Sequence, residues 1–339
     1  GLRREVRDAR RLGQYTLSDK LGEGGMGVVY RASHAMLRRP TAIKLLSHGG
    51  DASLARFEQE VQILAGLSHP NIVTVHDYGR TADGAFYFAM ELLDGMDLEK
   101  LVASSGPQPP ERVIHIVRQV ARGLHEAHDV GLVHRDIKPA NVFVCRRWGE
   151  PDAVKVLDFG LAKSHADPAA SVTAHDVVLG TPLYISPEAL NGAGPVDARS
   201  DIYSLGAVAY YMLTAEPVFS GRSLVEICAR HLHSDPVAPS ERLGSALPAD
   251  LEAIVLRCLA KSSADRYPSA AELERALAAC ETANAWSSDR ARAWWDQHGS
   301  VPTPAREFDG AARTIEINPS ARHAALPNAP TLPMPLRRE

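Results

Sequence analysis

The sequence predicts an α+β chain of two unequal halves, a small β-rich one followed by a larger α-helical one, with a cleft between them. Residues 14–93 alternate with the period of strands around a single helical stretch, and from Pro109 onward apolar residues recur with helical spacing. No internal repeat breaks that order. With 339 residues the chain is long enough for one bilobal domain, and 45% apolar residues suffice for a core.

In the first half, "VVYRA" and "TAIKLL" have the β-branched, period-2 look of paired strands, and "FYFAMELL" reads as a further buried strand. Between them Leu54, Phe57, Val61 and Leu64 recur at three and four residues, the spacing of a helix face. The small half is thus 14–93 and the large half 94–281. The large half opens with Val113, Val117, Val120, Leu124 and Ala127 in one apolar stripe, closed by Gly131 as C-cap. "SDIYSLGAVAYYML" is apolar nearly all round and predicts a buried central helix. "LPADLEAIVLRCLA" and "SAAELERALAAC" read as amphipathic helices. Residues 282–299 form a helical extension whose Trp286, Trp294 and Trp295 should dock on the rest of the chain. Residues 300–339 are rich in Pro and Ala and read as a disordered tail or linker. Residues 1–13, with Arg3, Arg4, Arg7, Arg10 and Arg11, read as a flexible, solvated arm.

A net charge of −4, with both signs interspersed, gives no footprint for nucleic acid or a membrane surface. No signal peptide is visible, and no apolar run reaches the roughly 18 residues of a membrane span. A cytoplasmic setting is therefore expected. The first residue is Gly rather than Met, which fits a piece of a longer, even membrane-anchored, protein. Cys145, Cys228, Cys258 and Cys280 are widely spaced and read as free thiols in a reducing compartment. "HEAH" at 125–128 lacks zinc-site spacing, so His125 and His128 read as packed or solvated helix residues.

"LGEGGMGVVY" at 21–30 fits G-x-G-x-x-G at Gly22, Gly24 and Gly27, a spacing shared by two unrelated phosphate-binding devices. A dinucleotide fold needs a helix directly after the glycines, but strand-like "VVYRA" follows. A Walker loop needs Gly-Lys-Ser/Thr, which is absent. A glycine-rich hairpin laid over a triphosphate needs a strand on each side, and that pattern fits, with Leu21 beside the glycines and Val29 against adenine. On the next strand Ala42 and Lys44 share one face while Ile43 points away. A lysine facing inward needs a counter-ion, and Glu60, on the inward face of the following helix, is its natural partner.

"VHRDIKPANVFV" and "LDFG" complete the pattern. With these motifs in order, the chain resembles the eukaryotic-like Ser/Thr protein kinases of bacteria over residues 14–281. The resemblance implies phosphoryl transfer from ATP with Mg²⁺ to Ser/Thr hydroxyls of protein substrates. It implies that Asp136 orients the acceptor hydroxyl and takes its proton late, and that Lys138 neutralises the γ-phosphate. Asn141 and Asp158 would hold Mg²⁺, with Phe159 and Gly160 as a mobile switch. Phe143, where the family usually has Leu, would floor the adenine slot. Met90 would guard the back pocket, and backbone groups of Glu91 and Leu93 would bond adenine.

In "LGTPLYISPE", Thr181 would bond Asp136 and Lys138. Ser186 stands where the family has Ala, and Glu188 would pair with Arg266. Asp201 would anchor the catalytic loop from below. Arg135 and Lys163 would form a cationic pocket for a phosphate on the activation segment, with Thr173 as the expected site and Ser171 as the neighbouring acceptor. Family analogy also suggests a homodimer through the small lobe. Two alternatives stand beside this reading. A pseudokinase scaffold would lack Lys44, Asp136 or Asp158, and none is lacking. A small-molecule phosphotransferase normally lacks the G-T-x-x-Y-x-x-P-E loop.

Overall fold

A computed structural model describes residues 11–24, 27–46, 61–81, 84–146, 150–159, 182–192 and 196–299. Its first half is a six-stranded antiparallel sheet in the order β1-β2-β3-β4-β6-β5. The strands are β1 (Arg11–Leu12), β2 (Tyr15–Gly24), β3 (Gly27–His34), β4 (Pro40–Leu46), β5 (Val75–Arg80) and β6 (Phe86–Glu91). The helical stretch expected around Val61 and Leu64 is seen as α1 over 61–66; Leu54 and Phe57 lie outside the described residues.

The alternation read in "VVYRA", "TAIKLL" and "FYFAMELL" has a physical origin here, because the sheet is covered on both faces. Leu12, Tyr15, Leu17, Ala32, Ile43, Tyr87 and Ala89 pack together on one face. Ala42, Phe88 and Met90 on the other face join the core that continues into the helical half. A one-residue slip of β4 would exchange the two faces, so burial on both sides fixes the register.

A second, three-stranded sheet, β7 (Gly95–Asp97), β8 (Val142–Cys145) and β9 (Ala153–Val156), lies within the larger half. The periodicity did not announce these strands, nor β5: they are short, and "VHDYGR" is polar. The helices are α2 (Leu98–Ser105), α3 (Pro110–Asp129), α4 (Pro187–Asn191), α5 (Ala198–Thr214), α6 (Leu224–His233), α7 (Pro239–Leu243), α8 (Ala249–Cys258), α9 (Ala270–Ala278) and α10 (Ser288–His298).

α3 starts with Pro at its first position, where a missing N–H costs nothing. Just past its end Gly131 takes φ +79°, and its N–H returns to His128 O. α5 is buried on nearly every side, as its composition predicts. The four cysteines are free thiols, three of them buried. Among the described residues no helix is long and apolar enough to cross a membrane.

The tryptophan extension docks on the larger half through a buried carboxylate. Asp152, in the turn between β8 and β9, accepts from Trp286 Nε1 at 2.9 Å and Trp295 Nε1 at 2.8 Å. It also accepts from Arg112 Nε at 2.8 Å and Nη2 at 2.9 Å, and both ion-pair partners are 0% exposed. The Arg112 guanidinium lies 3.9 Å from the Trp294 ring centroid. Removing one partner of a buried pair strands the other charge. Asp152→Ala should therefore lower unfolding free energy by about 3–5 kcal/mol, whereas Trp295→Phe, which removes one donor, should cost about 1–2 kcal/mol. Urea unfolding of the two variants checks this; losses under about 0.5 kcal/mol for both would mean that α10 contributes nothing to the fold.

Candidate active site

The site begins with strand register. Gly22 pairs with Val29, Val29 with Lys44, Lys44 with Phe88 and Ala42 with Met90. Directly paired residues share a face, so Gly22, Val29, Lys44, Ala42 and Met90 all line the same side of the sheet. Ala42 and Met90 are buried there, while Leu21 and Val29 are partly buried against the core.

The three glycines divide by role. A Cβ on Gly27, at φ +136°, would stand 1.9 Å from Leu45 O, so Gly27 is required by the close passage of β3 over β4. Among the described residues nothing lies within 4 Å of where a Cβ on Gly22 or Gly24 would stand, so the space beside this hairpin is open there.

Lys44 Nζ lies 2.6 Å from Asp158 Oδ2, joining the sheet to the end of the β9 strand. Glu60, the counter-ion expected for Lys44, lies outside the described residues, as do Gly160, Lys163, Ser171, Thr173 and Thr181. Asp158 holds φ +52° and Arg135 φ +61°, left-handed conformations that non-glycine residues adopt at a cost.

What holds the strained loop is Asp201. Its carboxylate accepts the backbone N–H of His134 and of Arg135, each at 2.8 Å, and meets His128 Nε2 at 2.8 Å. His134 ties the loop to β9: its Nδ1 accepts Asp136 N–H at 3.2 Å, and its Nε2 donates to Leu157 O at 2.8 Å. Complete burial lowers the His134 pKa despite Asp201 nearby, so the ring is neutral and keeps this tautomer. Phe159 is buried against it, ring centroids 4.6 Å apart.

Around Asp136 the side chains converge. Lys138 Nζ donates to Asp136 Oδ2 at 2.8 Å. Asn141 Nδ2 donates to Asp136 O at 2.8 Å and to Oδ2 at 3.0 Å, which orients the amide and turns its oxygen away from Asp136. Leu157 N–H donates to Asn141 O at 2.8 Å, so Asn141 and Asp158 are fixed side by side. An amide oxygen and a carboxylate are hard oxygen donors, the set that suits Mg²⁺. These two residues fit such an ion.

At the end of β6 the Glu91 N–H is taken by Thr74 O at 3.0 Å and is not open to a ligand. Leu93 is half-buried in the segment that follows, and Phe143 is half-buried between the buried Val142 and Val144 of β8.

Farther off, Arg266 makes a two-pronged ion pair with Glu188, both contacts at 2.8 Å, and Ser200 Oγ also donates to Glu188. Ser186 is buried, and its hydroxyl finds no hydrogen-bond partner among the described residues.

A glycine-lined sheet face, a buried lysine on an aspartate, and an aspartate–lysine–asparagine cluster are the kinds of group that phosphoryl transfer asks for. The protein kinase domain model matches residues 15–276. The chain is 43% identical over 274 residues to the serine/threonine-protein kinase PknB of Mycobacterium leprae, covering 78% of this chain and 42% of that protein. It is 38% identical over 330 residues to PknB of Mycobacterium tuberculosis (strain ATCC 25618 / H37Rv), covering 94% and 49%. The serine/threonine-protein kinase pkn3 of Myxococcus xanthus is 38% identical over 274 residues, covering 79% and 50%. Among solved structures, Rad53 1–466 in complex with AMP-PNP superposes with a TM-score of 0.65 at 23% identity, covering 77% of this chain and 64% of that one, a likeness of fold. The chain belongs to the protein kinase family and carries a domain of its Ser/Thr class. It spans about half the length of the curated relatives it matches. The family uses ATP and a divalent metal.

The Glu188–Arg266 pair gives a pH test. Burial would raise the Glu188 pKa, but hydrogen bonds from Arg266 and Ser200 outweigh it and hold the carboxyl at about 2. A carboxylate held below its ordinary value stabilises the fold above about pH 4.5, and that contribution disappears as pH falls toward 2. The stability difference between wild type and Glu188→Gln, followed by urea unfolding from pH 7 to pH 3, should be constant above about pH 5 and shrink below it. A difference that stays level to pH 3 would contradict the assignment.

Proposed function

We propose that this domain moves the γ-phosphoryl group of ATP, bound with Mg²⁺, to Ser and Thr hydroxyls of protein substrates. The observation that carries the reading is a pair of side-chain groups, Lys44 with Asp158 at 2.6 Å and Asp136 with Lys138 and Asn141 at 2.8–3.0 Å, linked by the Leu157 N–H on the backbone oxygen of Asn141 at 2.8 Å. Phosphoryl transfer asks the protein for position and charge neutralisation rather than covalent chemistry, and this cluster supplies both.

In this reading Gly22 and Gly24 offer open backbone to the phosphates, and Lys44 grips them. Val29, Ala42, Met90, the carbonyl of Glu91, the backbone of Leu93 and Phe143 enclose adenine. Asp158 and Asn141 hold Mg²⁺, which neutralises phosphate charge when bound. Asp136 orients the acceptor hydroxyl and takes its proton late, while Lys138, partly exposed beside it, faces the transferred group. The acceptor is drawn into register by Thr181.

Activation by autophosphorylation belongs to the same proposal, with Thr173 as acceptor, Ser171 as its neighbour, and Arg135 with Lys163 as the cations that receive the phosphate. A homodimer through the small lobe, which rests on the resemblance to bacterial relatives, and a cytoplasmic setting, which rests on the sequence showing no signal peptide or membrane span, complete the reading.

Incubation with ATP·Mg²⁺ followed by intact-mass measurement and peptide mapping tests the whole. Wild type should gain phosphate with Thr173 as the main site, Asp136→Asn should gain none on the same timescale, and Lys44→Met should slow transfer at least ~10²-fold. Incorporation by either variant at more than half the wild-type rate would overturn the assigned roles. Full substrate turnover by Ser171→Ala/Thr173→Ala would overturn the activation step alone.

A further inference from the structure

Strand β9 carries Lys155 three residues before Asp158, and β6 ends at Glu91. The two side chains meet away from the reacting groups: Lys155 Nζ lies 2.8 Å from Glu91 Oε1, with 5% and 11% of the side chains exposed. The ammonium also donates to Ile72 O at 3.1 Å, and the same Glu91 oxygen accepts Thr74 N–H at 2.8 Å. Thr74 O in turn accepts Glu91 N–H at 3.0 Å. The segment 71–74 is itself tied to β9, because Val73 N–H donates to Val156 O at 3.0 Å and Val156 N–H to Asn71 O at 2.8 Å. Side chain and backbone thus fix the end of the upper strand to the strand below it.

Register shows what the tie spans. In the β8–β9 hairpin Lys155 is paired with Phe143, so the two side chains rise from the same face. One of them reaches Glu91, and the other is the proposed floor of the adenine slot. In the same proposed reading residues 91–93 form another wall of that slot. Both walls therefore stand on elements joined by one buried ion pair. Two charges withdrawn from water gain little net stability over apolar side chains of similar volume. Their value here is geometric.

We propose that Glu91 and Lys155 are positioning residues for the nucleotide base. Their ion pair sets the separation between the backbone of residues 91–93 and Phe143, and hence the affinity for adenine, without acting on the phosphates. This rests on the reading of residues 91–93 as the adenine-binding segment.

The test replaces both charges together, Glu91→Met/Lys155→Met, so that no ion is stranded. Adenosine, which has no phosphates, is the ligand for calorimetric binding, and ATP turnover is measured in parallel. The Kd for adenosine and the KM for ATP should each rise about tenfold while kcat stays within about twofold. Lys155→Arg, which keeps the pair, should bind adenosine like wild type. A brace with no role in base binding would lower the unfolding midpoint and leave adenosine affinity unchanged, and that result overturns the proposal. So does a fall in kcat at constant KM. If the double variant does not fold, Lys155→Gln, which leaves Glu91 its Thr74 N–H, reads the same two constants. Leu93→Pro, which deletes a backbone donor, separates the two readings. Weaker adenosine binding in Leu93→Pro with normal binding in the charge variants rejects the positioning role alone. Normal binding in Leu93→Pro rejects the adenine-segment reading and the positioning role with it.

Discussion

The Asp201 carboxylate, wholly buried on α5, accepts two successive backbone N–H groups, those of His134 and Arg135. Arg135 sits at φ +61°, a conformation that costs of order 1–3 kcal/mol unless the surroundings impose it. Two charge-assisted hydrogen bonds to adjacent amides do impose it, and the turn they create delivers Asp136 to its place. From there the constraint passes through neutral groups. His134 accepts from Asp136 N–H and donates to Leu157 O, and the next residue is Asp158, itself in the left-handed region. Asp158 meets Lys44, and Lys44 belongs to the sheet of the other half. One buried acid on the central helix thus sets the position of groups in both halves.

That route explains why the neutral state of His134 matters. A protonated ring would have no lone pair for Asp136 N–H, and burial disfavours the charge that would remove it. The sheet side is constrained differently. There the register of β4 between β3 and β6 decides which residues face the cleft, and two apolar clusters, one on each face, hold the register. Gly27 lets β3 pass close over β4, while Gly22 and Gly24 leave open space beside the hairpin among the described residues. The side chains proposed to react are thus positioned by packing elsewhere, which is the condition for catalysis by position.

Much of this was legible in the sequence. Strands β3, β4 and β6 announced themselves because each carries apolar residues toward a covered face, and α3 and α5 because their burial is continuous along the helix. The motifs around Asp136 and Asp158 were legible because phosphoryl transfer needs fixed residue types at fixed spacing. The rest had no local signal. β5 is polar, and β7, β8 and β9 are too short to establish a period. Arg112, Asp152, Trp286 and Trp295 meet only in space, so the expectation that the tryptophans dock could not name the carboxylate that receives them. The Glu91–Lys155 pair was hidden for the same reason. Helical spacing could place Glu60 on an inward face, but it could not measure a distance. Glu60 itself lies outside the described residues, and the ion pair of Lys44 among the described ones is with Asp158. Ser186 is a local departure: its buried hydroxyl has no partner among the described residues, at the position where the family carries Ala.

Asp201 fixes the loop that carries Asp136. Steady-state kinetics of Asp201→Asn tests this directly, since the amide keeps the size but presents one acceptor where the carboxylate presents two. The kcat should fall at least about tenfold. An unchanged kcat in the folded variant would contradict it, because the strained loop would then hold its shape without the acid beneath it.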